Sequence, residues 1–303
     1  MSIRMPLSIQ TRQMLLGLQR TQDRLAQNTQ RISTGQRITN PGDDPAGAAI
    51  ILDLGTSIGS ATQFQQQINS SLSFLQGAET ALTSVNDSVT ELLQLGQQGL
   101  SDLTGTSGRA ALAANVDGIR TNLASLANTQ MQGKYLFGGT MTTTQPFTLG
   151  AAGTATYNGN SSTINLDVST SETVATNLPG DQVFFGSGGA GSSTDLFQAV
   201  TDLRDGLNAD NTAQIQSAYD RIKTILPTIT QSLTEIGGRT SRLQDLQTIL
   251  SAQKLSLQDM QNTLQDTNYP ATLSEFTSDQ TVQTATLNAL GKTNQPNLFD
   301  YLG

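Results

Sequence analysis

Two adjacent carboxylates, Asp43 and Asp44, are the side chains whose type and spacing come closest to a chemical site. Two neighbouring carboxylates offer fewer oxygen ligands than Ca²⁺ or Mg²⁺ takes, so they do not predict a metal site. The chain has no His and no Cys, which removes the commonest general base, metal ligand and thiol nucleophile. No Lys-Ser or Lys-Thr follows the Gly-rich run 186–191, so we expect a flexible surface link there and no phosphate loop. The sequence predicts no catalytic, cofactor-binding or metal-binding residue.

The carboxylates are better explained by the start of a helix. Asp44 can accept hydrogen bonds from the free amides of a helix whose first residue is Pro45. Gly35 follows the last periodic apolar residue of an earlier helix and can adopt the left-handed conformation that ends one. Between them, Pro41 keeps its predecessor out of the helical region. We therefore predict an elbow joining two helices, with the key residues Gly35, Asn40, Pro41, Asp43, Asp44 and Pro45.

Two arginines flank this elbow, Arg31 and Arg37. They could pair with Asp43 or Asp44, or with acidic groups of a neighbouring subunit. Exposed ion pairs are worth only ~0–1 kcal/mol, so we expect these pairs to set geometry more than stability.

Composition limits the partners and the location. The 303 residues carry a net charge of -8, and the 16 basic residues are scattered, which disfavours nucleic acid and anionic membrane surfaces. No apolar run approaches the ~18 residues of a membrane-spanning helix. The N-terminus lacks the continuous apolar core of a secretory signal, so we expect another export route if the protein leaves the cell.

Apolar residues at helical spacing dominate the rest of the chain. A first helix over 9–34 has a seam at Leu15, Leu18, Leu25 and Ile32, with Thr11, Gln22 and Thr29 as polar interruptions. Further helices are predicted over 45–100 and, after a turn that contains Gly105 and Gly108, up to about Met131. The strongest repeat has one apolar residue every seven, at Ile215, Ile222, Ile229, Ile236, Leu243, Leu250, Leu257 and Leu264. Pro227 lies inside this run and should kink or split the helix.

The chain changes character in its middle and again near its end. Residues 134–193 are rich in Gly, Ser and Thr, with β-prone pieces at 134–137, 154–157, 163–168 and 182–185 and a tight-turn signal at Asn158-Gly159. Asn268-Tyr269-Pro270 interrupts the helical pattern as the elbow does. A last helix follows over about 270–290, with anchors at Leu273, Phe276, Leu287 and Leu290 and an apolar tail containing Leu298 and Phe299.

These elements predict a mainly α fold: a long antiparallel coiled-coil rod whose N- and C-terminal helices pair at one end, with a small inserted β domain. The expected domains are a terminal coiled coil of 1–44 plus 266–303, a helical rod of 45–133 plus 194–265, and a β-rich insert of 134–193. Polar residues interrupt both terminal seams, so we expect the terminal helices to gain stability from neighbours.

This arrangement resembles the flagellin superfamily, the axial proteins of the bacterial flagellum, and within it the hook–filament junction proteins. The resemblance is carried by the sequence Ile-Ser-Thr-Gly-Gln-Arg-Ile at 32–38 and Asn-Pro-Gly-Asp-Asp-Pro-Ala at 40–46. The segments Gly133–Thr140 and Leu298–Leu302 support it. The Asn-Pro and Asp-Asp-Pro forms look more like the junction proteins than like flagellins.

The resemblance implies an extracellular flagellar protein that leaves the cell unfolded through the flagellar type III export apparatus. It also implies terminal segments that are disordered in the free chain and pair only on assembly. The implied partners are other copies in a ring, the first hook-associated protein on one side, flagellin on the other, and an export chaperone that holds the C-terminal segment. No membrane insertion is implied.

The functional hypothesis is therefore a non-enzymatic adapter between the hook-associated zone and the filament. Its expected assembly interface comprises Leu15, Leu18, Leu25, Arg31, Ile32, Arg37, Leu273, Phe276, Leu287, Leu290, Leu298 and Phe299. A small flagellin is the main alternative. A secreted adhesin using residues 134–193 is a second, and a hydrolase has no paired motif to support it.

Overall fold

A computed structural model describes residues 7–150, 153–169 and 172–293, and most of these residues are helical. The helices are α1 (Leu7–Thr34), α2 (Pro45–Leu100), α3 (Gly105–Ala127), α4 (Leu196–Asn208), α5 (Thr212–Gln265) and α6 (Tyr269–Thr293). The predicted mainly α fold is confirmed. Within the described ranges, no helix combines the length and the apolar character needed to cross a bilayer.

Proline and glycine set some helix ends and leave others untouched. Helix α2 begins at Pro45, as the capping argument predicts. Helix α5 is continuous through Pro227, so the proline does not split it. Helix α3 begins at Gly105, so Gly105 and Gly108 are helical and do not lie in the predicted turn, which ends at Thr104. The helix ends at Ala127, earlier than the predicted Met131, because Asn128 turns to φ -102° and ψ 18°. Met131 instead lies in a strand.

The described strands form three separate antiparallel pairs. Strand β1 (Gln130–Met131) pairs with β2 (Lys134–Tyr135), β3 (Phe147–Leu149) with β4 (Ala155–Tyr157), and β5 (Asn165–Ser169) with β6 (Glu172–Ala175). Asn158-Gly159 is therefore not the loop of a hairpin between β4 and β5. The Asn158 amide instead donates to the carbonyl of Pro146, 2.7 Å away.

The predicted β-prone piece 182–185 is a single π-helical turn, Asp181–Phe185. Phe184 and Phe185 are both buried, with 0% and 2% of their surface exposed. Successive strand residues would point to opposite faces, whereas a helical turn lets both rings enter one core. There the Phe184 ring lies 5.0 Å from that of Phe147 and 5.7 Å from that of Phe197.

The Gly-rich run 186–191 makes several hydrogen bonds to neighbouring side chains, and its expected flexibility stays a prediction. The Gly188 amide donates to Thr194 Oγ1 at 3.2 Å, and the Gly191 amide to Asp195 Oδ2 at 2.7 Å. Arg221 on α5 also donates to the backbone carbonyl of Ser192 at 2.9 Å. These side-chain contacts could not be read from the glycine content alone.

The chain divides into two compact units, one of residues 1–61 with 253–303 and one of residues 62–252. In the second unit, α2, α3, α4 and α5 share one core with the strands, so the insert packs against helices directly. Ile68, Leu82, Phe137, Val200 and Ile222 are buried members of this core. The predicted domain boundaries at 44/45, 133/134, 193/194 and 265/266 concern which segments fold alone, and they stay predictions.

Candidate assembly site at the elbow

Gly35 ends α1 by local backbone geometry. Its φ is +73°, and its amide donates to the carbonyl of Arg31 at 2.9 Å, as in a left-handed helix cap. A Cβ atom at this position would lie 2.9 Å from the hydroxyl oxygen of Tyr269. Gly35 thus meets a conformational requirement and a steric one.

Asp44 begins α2 as an N-cap. Its Oδ1 accepts a hydrogen bond from the Gly47 amide at 2.9 Å, and Pro45 is the first helical residue. Gly47 is buried beneath Ile38, since a Cβ there would lie 2.8 Å from Ile38 Cδ1. Ile38 itself is only 5% exposed, so the elbow has a small apolar centre that the sequence argument did not identify.

Asp43 does not cap α2, although the sequence grouped it with Asp44. Its Oδ2 accepts hydrogen bonds from the Asn40 amide at 3.0 Å and from the Thr39 amide and hydroxyl at 3.2 Å each. These bonds, led by that from Asn40, lower the pKa of the Asp43 carboxyl, and the charge of Arg31 adds to the effect. The Asp43 amide also donates to the Asn40 carbonyl at 3.0 Å, which closes a turn over Pro41.

The elbow is hydrogen-bonded to the second break in the chain. The Arg37 amide donates to the carbonyl of Gln265 at 2.6 Å, and the Thr267 amide to that of Gly35 at 2.8 Å. These bonds flank an antiparallel bridge between Gln36 and Asp266. We call this structure, residues 35–37 with 265–267, the clasp.

The Arg37 side chain reinforces the clasp. Its Nη2 donates to the backbone carbonyl of Leu264 at 3.1 Å and lies 3.5 Å from Asp44 Oδ2. The guanidinium is about half exposed, so its ion pair contributes geometry more than free energy. It nevertheless joins the end of α5 to the start of α2 at one side chain.

The second break is built like the first. Asn268 Oδ1 accepts a hydrogen bond from the Ala271 amide at 3.2 Å and so caps α6. The hydroxyls of Thr267 and Thr272 are buried and 3.0 Å apart. Each break therefore ends one helix and caps the next, and the clasp connects the two.

Helices α1 and α6 then run antiparallel from the clasp and pack on each other. Leu18, Leu25 and Ile32 are half-buried on the inner side of α1, and the residues buried between them are Thr21 and Asn28, each 4% exposed. The buried positions Thr21 and Asn28 lie three residues after Leu18 and Leu25. The predicted seam positions, Gln22 and Thr29, lie four residues after them. Leu15 is consequently 53% exposed and lies off the buried seam.

Helix α6 shows the same pattern. Phe276 and Leu290 are half-buried, whereas Leu273 and Leu287 are 47% and 51% exposed. Asp279 is buried on the seam, with Arg24 Nη2 of α1 at 2.7 Å from its Oδ1. This pair is not among the residues predicted from the sequence, although the seven-residue spacing from Thr272 to Asp279 is a signal for it.

Other apolar residues of α1 and α6 are exposed. Those exposed by more than two fifths include Ile9, Leu15, Leu16, Leu273, Val282 and Leu287. Arg31 and Arg24 line a groove of about 570 Å³ between the two helices. Leu298 and Phe299, the remaining predicted interface residues, lie outside the described residues. No group of three His, Cys, Asp or Glu side chains that could hold a metal ion occurs among the described ones.

Residues 8–142 match the family model of the bacterial flagellin N-terminal helical region. That range contains α1 except for its first residue, the elbow, α2 and α3. The resemblance of this chain to the flagellin superfamily is confirmed, and the elbow lies within the matched range.

Comparison along the full length is more specific. The chain is 26% identical to flagellar hook-associated protein 3 of Escherichia coli (strain K12), over 95% of this chain and 96% of that protein. The flagellin of the same strain is 30% identical, but over only 35% of this chain and 21% of the flagellin. The structure of the flagellar junction protein FlgL from Legionella pneumophila matches with a TM-score of 0.57 and 19% identity, covering 73% of this chain and 100% of that one. The full-length resemblance is thus to hook-associated protein 3, and the resemblance to flagellin is partial.

Proposed function

We propose that this protein is a structural component of the bacterial flagellum that joins the hook-associated zone to the filament. The observation that carries the proposal is the similarity to hook-associated protein 3 over 95% of the chain. The proposed role is mechanical and non-enzymatic, and it is supported by the same similarity. The site of action is outside the cell, at the hook–filament junction.

The proposed mechanism is folding coupled to assembly. The inner seam of the α1–α6 pair buries Thr21, Asn28, Thr272 and Asp279, which return little hydrophobic free energy. Ordering these helices costs conformational entropy of ~1–2 kcal/mol per residue for the backbone alone. The exposed apolar residues of α1 and α6 can offset that cost only when neighbouring subunits cover them.

The proposed partners follow from this mechanism and from the resemblance. Copies of the chain associate in a ring through the α1–α6 pair, with Arg31 and Arg37 near the elbow and Leu298 and Phe299 in the tail. The first hook-associated protein binds on one side and flagellin on the other. An export chaperone holds the C-terminal segment before the chain leaves the cell.

A deletion strain tests the role directly. Loss of filaments, with hooks intact and flagellin released into the medium, supports the junction role, and complementation should restore filaments. A deletion strain with normal filaments would end the proposal.

Amide exchange of the purified chain tests the mechanism. We expect rapid exchange across 7–34 and 269–293 and slow exchange in the core of 62–252. Strong protection of both terminal helices in the free chain would contradict folding on assembly.

The alternative function is a small flagellin, which the 30% identity to E. coli flagellin supports over about a third of the chain. Purified protein that forms long filaments by itself would favour this alternative. The junction role predicts that the purified protein does not form long filaments by itself.

A further inference from the structure

The clasp joins two chain segments that lie more than two hundred residues apart in sequence. Its backbone bonds are those of a short antiparallel ladder, with Gln36 and Asp266 as the non-hydrogen-bonded pair between them. One strand leads directly out of α1, and the other leads directly into α6. Gly35, the first residue after α1, thus accepts a hydrogen bond from Thr267, which lies two residues before α6.

The clasp also fixes the register of the helices that start from it. The Tyr269 hydroxyl faces Gly35, where a side chain would collide with it, so the start of α6 sits against the end of α1. Further along, Arg24 and Asp279 lie about equally far from the clasp, and their ion pair forms in this register. A slip of either strand would separate that pair and leave Asp279 buried without a partner.

We propose that the clasp is a conformational coupling device that makes α1 and α6 order, or lose order, together. Closing the clasp brings the end of α1 and the start of α6 together before the helices pair, which lowers the conformational entropy that their pairing still has to lose. Opening the clasp restores the full entropy cost of pairing, so both helices become less stable. A partner that holds the C-terminal segment extended therefore keeps the N-terminal helix unfolded without touching it.

This inference rests on the proposed function only in taking the terminal helices to be marginally stable in the free chain. The coupling is a property of one chain, so it can be tested without any flagellar partner. Failure of the deletion experiment would leave the coupling intact, and failure of the coupling would leave the junction role intact.

A disulfide across the clasp is the first test. Cα atoms of a non-hydrogen-bonded antiparallel pair are ~4.5 Å apart, which is within the range of disulfides, and the chain has no other Cys. The double variant Gln36→Cys with Asp266→Cys is compared oxidised and reduced by hydrogen–deuterium exchange, at the trimethylamine oxide concentration that half-orders the wild-type terminal helices. Oxidation should slow exchange about tenfold or more in both α1 and α6. Slowing in one helix alone, or in neither, would overturn the proposal.

A backbone variant tests the opposite direction. Thr267→Pro removes the amide that donates to Gly35, while Thr267→Val keeps that amide and removes only the hydroxyl. The proline variant should speed exchange in α1 as much as in α6, and the valine variant should change α1 less than threefold. Protection in the 62–252 core serves as the internal control for global unfolding. Loss of protection confined to α6 in the proline variant would also overturn the coupling.

Discussion

Gly35 is required by two independent constraints, a φ of +73° and the Tyr269 hydroxyl 2.9 Å from the position of a Cβ atom. Gly35→Ala should destabilise α1 by about 1–2 kcal/mol, because an L-residue in the left-handed region pays that cost before any collision is counted. The measurement is the trimethylamine oxide midpoint for helix formation, followed by circular dichroism. Gly42→Ala is the matched control, since no atom lies within 4 Å of its Cβ position. Equal midpoints for the two variants would contradict the account.

Asp43 links elbow stability to pH. Hydrogen bonds from the Asn40 and Thr39 amides hold the pKa of its carboxyl below the ordinary value of 3.8. Because the folded pKa is lowered, the charged carboxylate stabilises the elbow fully above the ordinary pKa, and this stability is lost as pH falls through the lowered value. Carbon-13 NMR titration of the Asp43 carboxyl under ordering conditions should give a pKa below 3.8, and in urea the same carbon should titrate normally. A pKa at or above 3.8 in the ordered state would contradict the hydrogen-bond geometry.

At the scale of elements, the α1–α6 pair buries one carboxylate, that of Asp279. Arg24→Gln should destabilise the pair by about 1–2 kcal/mol, because Asp279 loses its ionic partner while it stays buried. Asp279→Leu should leave stability equal to wild type or raise it, since an apolar side chain avoids the desolvation cost. Both changes are read from the same trimethylamine oxide midpoint. Strong destabilisation by Asp279→Leu would show that the ion pair itself holds the helices together.

The helices show what a sequence can and cannot predict. The start of α2 followed from Asp44 and Pro45 because capping chemistry is local. The inner side of α1 cannot be predicted in the same way, because Leu15 and Met14 are both compatible with helical spacing. Only packing against α6 determines which of the two faces inward. The clasp was also missed, because Gln36 and Asp266 carry no local signal for pairing with each other. The π-helical turn at Asp181–Phe185 differs from the predicted strand because Val183, Phe184 and Phe185 are residue types that favour strands, and only their packing in the core shows the turn.

At the scale of the whole molecule, the core of 62–252 should carry most of the measurable stability of the free chain. Phe184 is fully buried among Phe137, Phe147 and Phe197, so Phe184→Ala should cost about 3–5 kcal/mol. Chemical denaturation followed by circular dichroism measures it. Leu103 is 98% exposed, and Leu103→Ala should change the free energy of unfolding by less than about 0.5 kcal/mol. Comparable losses for the two variants would contradict this description of the core.

The polar seam of α1 and α6 has a consequence for the chain before it folds. Thr21, Asn28, Thr272 and Asp279 occupy positions where a permanently folded coiled coil would carry leucine or isoleucine. An extended segment with hydroxyls, amides and carboxylates at these positions lacks the uninterrupted apolar stretches that start aggregation. The residues that weaken the α1–α6 pair therefore keep these two segments soluble before they assemble with a neighbouring subunit. They also limit irreversible mispairing between chains.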